Sequence, residues 1–298
     1  VTAQVASLTT EAVSALTTTQ VGAMRTTQIQ GLTTTQIGAL DATDIGEFTT
    51  TQLQSLTTAQ VAGLTSTNAQ SLSTQQLAAL TTSQVAALTV TNLSALDATQ
   101  VGALTTTQTK ALTATQLTGL DAADVAEFST THISNFANTQ LLALTSTNMA
   151  ALSETQIAAI SAPGVKALTA TNFAAFAETQ LGALTTTQVS SLTNTQLQAL
   201  NSTKFASFTA TQLGALTTSQ VSGISTTNLS ALDATQFDAF RTTQLQTLST
   251  TQLNGLSTTD ISELTTTQIG LLTTAQVRGL STTSIGALSD TQVLALTT

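Results

Sequence analysis

Two sets of carboxylates in this chain share one spacing. Asp41, Asp44 and Glu47 form the first set, and Asp121, Asp124 and Glu127 form the second. A third, Asp260 with Glu263, lacks the leading carboxylate. Oxygen ligands at such steps suit a hard divalent cation, so the chemistry on offer is weak, surface-exposed Ca²⁺ binding. The spacing matches neither an EF-hand loop nor a Gly-Asp-rich nonapeptide. The plainer reading is preferred: the carboxylates gather at a helix N-terminus, where the macrodipole favours them and water solvates them fully. Calcium is the alternative, and no other cofactor is implied.

Other reactive groupings are sparse. His132 is the only histidine, so a histidine metal site or a catalytic triad has nothing to build on. It stands in the position of the repeat usually held by Gln and reads as a hydrogen-bonding substitute. Ser and Thr are abundant, but abundance without a base does not make a nucleophile. The glycines fall in separate repeats rather than in a phosphate-cradling loop. Cysteine is absent, which removes disulfides and thiolate metal sites. No acid–base pair stands outside the repeat, so an enzyme is not expected.

The net charge is −9, and the six basic residues (Arg25, Lys110, Lys166, Lys204, Arg241, Arg278) are scattered. Nucleic-acid binding and polybasic membrane attachment both need clustered Lys and Arg, so neither is expected. No stretch approaches 18 consecutive apolar residues, so membrane insertion is not expected either. Charged residues are 7% and hydrophobic residues 41%, too apolar for a disordered tail.

These residues are positioned by a repeat of eight. Every position that is a multiple of eight, from Leu8 to Leu296, is Leu, Phe, Ile or Met, without a slip. The consensus is Thr-Thr-Thr-Gln-Val-Gly-Ala-Leu, with the apolar anchor at slot eight. A fixed short period means that each unit buries its apolar face only against its neighbours, which predicts a solenoid-like stack. We read residues 1–298 as one continuous array. It opens at Val1 and closes at Thr298 inside repeats, as expected of a segment of a longer chain.

One octad reads as a helix start. The residue after each anchor, slot one, is Thr, Ser, Asp or Asn except at Arg25, Ala137, Ala177 and Arg241. Such side chains accept a free backbone N–H as N-caps. Slot four is usually Gln, placed to reach back and complete a capping box. Slot five is Val, Ile, Leu, Phe or Met everywhere except Ala69 and Thr109, and it pairs with the preceding slot eight as a hydrophobic staple. Pro163 agrees, falling in a first turn where its missing N–H costs little. The implied helix of about six residues is too short to stand alone, since isolated helices need about 12–15, so stacking must hold it. Small residues at slot seven would let helices approach closely.

The rival is a β-solenoid. Slots one, three, five and seven share a parity, and Thr and Val suit strands. Against it, the slot-eight anchor breaks the alternation, Ala, Leu and Gln favour helices, and tight-turn dipeptides are rare where short strands would need frequent turns. The expected fold is therefore an all-α solenoid of very short N-capped helices, one per octapeptide.

Two longer-range patterns remain. Phe173 and Phe176 recur as Phe205 and Phe208, then as Phe237 and Phe240, a step of four octads. Block duplication accounts for this. A sharper reading makes four octads one superhelical turn, with Phe pairs stacked along one side; core packing is the preferred role for the rings. Rows of Thr are open to ice binding or O-glycans, while the simpler reading has the hydroxyls cap helices and bridge repeats.

The runs Leu32-Thr33-Thr34-Thr35-Gln36-Ile37-Gly38-Ala39-Leu40 and Leu184-Thr185-Thr186-Thr187-Gln188-Val189 resemble the octapeptide tracts of very large bacterial secreted or surface proteins, often labelled haem-utilisation or adhesin-like. The resemblance spans the chain but carries over no functional residue. With one His and no Cys or Tyr, haem ligation gains nothing from these residues. What the resemblance implies is an extracellular or cell-surface location and a stalk, adhesin or filament role. Uncapped arrays also invite end-on self-association into fibres or tubes.

Overall fold

The structure, a computed structural model, describes residues 2–296. The described residues form 37 helices, from α1 (Thr2–Ala6) to α37 (Asp290–Ala295), one per octad and without any strand. The all-α reading holds and the β-solenoid is set aside.

Each helix starts as slot one dictates. In α5 (Thr34–Ala39), the Thr33 hydroxyl accepts from Gln36 N at 3.2 Å and Gln36 Oε1 accepts from Thr33 N at 2.7 Å. The box survives in part where slot one cannot cap. At Arg25, Ala137, Ala177 and Arg241 the slot-four Gln still accepts the slot-one N–H, at 2.6–3.0 Å. Helix ends are equally regular. Leu40 (φ −64°, ψ 140°) and Asp41 (φ −78°, ψ 174°) are both extended, and this pair redirects the chain. No described residue has positive φ. The turn between octads therefore needs no left-handed glycine, and even at Asn254-Gly255 the glycine closes its helix in the right-handed region (φ −86°, ψ −9°).

Two compact units result, Val1–Leu152 and Ser153–Thr298. Their internal packing follows one rule. Helices lie against the helix three octads on, as α2 (Thr10–Ser14) does against α5 in the first unit and α21 (Ala162–Ala167) against α24 (Thr186–Ser191) in the second. Slot-four side chains meanwhile reach the octad four back. One turn within a unit therefore takes between three and four octads, rather than four.

Slots five and eight form the core of each unit. Leu53, Val85, Leu181 and Val189 are fully buried at slot five, with Leu56, Leu88, Leu184 and Leu192 buried beside them at slot eight. Both slot-five exceptions are also fully buried: Ala69, and Thr109, whose hydroxyl donates to Thr106 O at 3.1 Å. The Phe pairs are core, as expected. Their ring contacts lie within one octad, at 5.4 Å for Phe173–Phe176, 5.6 Å for Phe205–Phe208 and 5.3 Å for Phe237–Phe240. Slot seven makes the close approach. A Cβ at Gly119 would stand 2.7 Å from Val90 Cγ2, on the octad three before.

Candidate functional site

The most consistent chemistry in the molecule belongs to slot four. Its Gln carries an acceptor and a donor on one amide, and the two are used in different directions. Gln60 Oε1 accepts from Thr57 N at 2.9 Å, closing the capping box of its own helix. Gln60 Nε2 donates to Ile29 O at 2.8 Å and Leu32 O at 2.7 Å, on the octad four before. In the second unit Gln188 repeats this, with Ile157 O at 2.9 Å and Ile160 O at 2.6 Å. These carbonyls end the earlier helix and would otherwise be buried without donors, which costs more than an ordinary hydrogen bond contributes. The side chains are themselves buried: Gln60 is 3% and Gln188 2% exposed.

The box was legible in the sequence; the bridge between octads was not. A signal for it exists. Glu closes a capping box as well as Gln, yet slot four is Gln or Asn nearly throughout and never Glu. Of these two, only the amide supplies the N–H that the earlier octad needs. Bridging thus falls to Gln, while the Thr hydroxyls of slot one cap.

His132 takes this role with one hand. It is buried in slot four, and its Nε2 lies 2.7 Å from Leu104 O, the carbonyl a Gln would reach. A carbonyl only accepts, so Nε2 carries the proton. Nδ1 is buried without a partner, and the box to Ser129 N is not closed. Lys204 improvises similarly, its Nζ donating to Ala174 O.

The two acidic sets are placed by the same slots. Asp41 caps α6 (Ala42–Gly46), its Oδ1 accepting from Asp44 N at 2.8 Å. Asp44 is 3% exposed rather than solvated, because slot four faces inward. Burial first, then the Asp41 charge, push its carboxyl above the usual range. Asp121 caps α16 (Ala122–Ala126), accepting from Ala123 N at 2.8 Å and Asp124 N at 2.9 Å. Asp124 Oδ2 accepts from Asp121 N at 3.0 Å and from the Ser94 hydroxyl.

Glu47 and Glu127 close these two five-residue helices at the C-terminal end, so the sets do not gather at one N-terminus. Glu47 is exposed and Glu127 half-buried. Burial, followed by the charges of Asp124, Asp97 and Asp121, raises the Glu127 carboxyl. Among the described residues no group of three or more His, Cys, Asp or Glu side chains is arranged to hold a metal ion. Asp260 and Glu263 line a shallow cleft with Asp233, Phe237 and Leu264.

Slot three is exposed in octad after octad, as at Thr35, Thr107, Thr187 and Thr267. These threonines form outward rows distinct from the capping row. No helix among the described residues is long and apolar enough to cross a membrane.

Comparison with known proteins adds one match. A family model described as the ALTTAQ repeat matches residues 37–74. No curated protein matches the chain. The chain is a repeat protein with a helical, solenoid-like architecture.

Proposed function

We propose that this chain is a structural segment: a repeat array that spaces, adheres or assembles as part of a bacterial surface or secreted protein, serving as a stalk, an adhesin rod or a filament-forming subunit. The observation that carries the reading is the slot-four amide. Its two hydrogen-bonding functions are spent on joining octads, and the same join recurs from Gln36 in the first unit to Gln292 in the second. Chemistry invested in continuity rather than in a local departure is what a load-transmitting or spacing element needs. Catalysis has no part in this reading, and self-association supplies the partner. The extracellular location rests on the resemblance of the Leu32–Leu40 tract to bacterial secreted and surface proteins. Negative-stain imaging of the purified chain tests the structural role. Elongated particles or filaments are expected; compact monomers of uniform diameter would sink it. Protease accessibility of the tract on intact cells tests the location.

A second reading rests on the exposed slot-three rows. Thr at such a position offers a hydroxyl and a methyl to solvent while contributing little to helix stability. That favours a water-ordering, ice-binding face. A freezing assay decides it: thermal hysteresis supports the reading, and its absence removes it.

A further inference from the structure

A near-perfect repeat has a register problem. If all octads were identical, each could stack equally well on the octad three, four or five before it, and the coil would have no unique pitch. The exceptions to the repeat are placed as if to remove that freedom. Slot four is Asp in three octads, at Asp44, Asp124 and Asp260. A carboxylate there cannot donate to the earlier carbonyls as Gln does; it needs a donor itself. In each case the residue at slot six, four octads earlier, is serine: Ser14, Ser94 and Ser230. The Ser94 hydroxyl donates to Asp124 Oδ2 and the Ser230 hydroxyl to Asp260 Oδ2. Ser14 holds the same register but donates to Ala39 O at 2.8 Å.

A fourth pair reaches the same end with other residues. Slot four of its octad is the short Ser284, whose hydroxyl donates to Asn254 Oδ1 at 3.1 Å, again thirty residues back. A separate contact marks the octad three away. The bulky Val90 at slot two faces Gly119, where any Cβ would collide with it.

We infer that these exceptional pairs are a register code: they fix which octad stacks on which, and so hold the coil to one pitch. A slip of one octad would set Asp124 against Ala86 or Gly102, and Asp44 against Ala6 or Gly22, none of which carries a side-chain donor; Asp260 would meet Asp238 in one direction but Ser222 in the other, so its pair bars the slip one way only. The same slip would drive Val90 onto Ala111 or Glu127. The code concerns how octads find each other and stands independently of the role proposed for the whole chain.

The decisive experiment moves a pair. Gln116 Nε2 donates to Val85 O at 2.9 Å and Leu88 O at 2.7 Å, and slot six of that earlier octad is Ala86. In the full chain, Gln116→Asp should speed local opening of octads 11–15, read by backbone amide hydrogen exchange, about tenfold. Adding Ala86→Ser should recover most of that loss, whereas Ala78→Ser, one octad further back, should not. Native Ser94, one octad nearer, would already accommodate Gln116→Asp if the stacking register were three. A harmless Gln116→Asp, or equal rescue from Ala78 and Ala86, overturns the code. In the native pair, Ser94→Ala should open octads 12–16 about tenfold in the wild type and leave them unchanged in an Asp124→Gln background. Additive effects would count against coupling. Ser190→Ala, whose serine faces Gln220 rather than an aspartate, controls for the loss of a slot-six hydroxyl.

Discussion

At the scale of single residues, the economy of this chain rests on one amide doing two jobs. Gln188 Oε1 accepts from Thr185 N at 2.7 Å while its Nε2 serves Ile157 O and Ile160 O. Replacing it by Glu separates the jobs. Gln188→Glu keeps the capping acceptor but sets a carboxylate against two buried carbonyls that then lack donors. The expected cost is about 2–4 kcal/mol, measured by urea unfolding. Stability equal to wild type would mean that the box, not the bridge, is what slot four supplies. The converse holds at His132. His132→Gln restores the box to Ser129 N, removes the unpartnered Nδ1 and keeps the donor to Leu104 O. It should stabilise by about 1 kcal/mol in the same assay.

At the scale of the element, the helix ends decide what each small residue tolerates. Gly182 at slot six has only Ser207 O near an added Cβ, at 3.6 Å, an ordinary contact. Gly255 at slot seven has Thr226 Cγ2 at 2.5 Å and Thr226 Cβ at 2.6 Å, and rotating the Thr side chain does not move its Cβ. Gly182→Ala should therefore be neutral or raise stability by about 0.5–1 kcal/mol. Gly255→Ala should lower it by about 1–3 kcal/mol. Paired thermal melts read both, and equal effects would contradict the assignment of slot seven to close packing. The helix itself was legible because cap, box and staple are local: Thr33, Gln36 and Ile37 sit within one octad. The bridge from Gln36 to Leu8 was not, because it spans 28 residues and depends on the pitch, which no single octad encodes. The acidic sets were half legible. Asp41 and Asp121 cap as their residue type requires, but the burial of Asp44 follows from slot four facing the previous turn, which is known only once the stack is known.

At the scale of the whole molecule, the balance of charge becomes a statement about pH. The chain carries 15 acidic residues against six basic ones. Two of those acids, Asp44 and Glu127, are held above the usual carboxylate range by burial and neighbouring carboxylates. Across the interval between their unfolded and folded midpoints, the folded chain binds more protons than the unfolded chain. Stability therefore falls as pH rises through that interval, and the full penalty is present above it. Glu11 acts in the opposite sense: its carboxyl is lowered by hydrogen bonds to its own backbone and to Thr9 and Thr10. Its contribution would be lost only as pH falls through the lowered midpoint, and it sits fully in solvent, where screening weakens such effects. Lowering the pH from about 7 to about 5 should thus raise the melting temperature, since it begins to relieve these two raised carboxylates while ordinary ones stay ionised. The Asp44→Asn, Glu127→Gln double variant should lose most of that dependence, because neither amide titrates. A wild-type melting temperature that drops steadily over the same interval would show that paired or capping carboxylates, not these two strained ones, govern the acid response of the array.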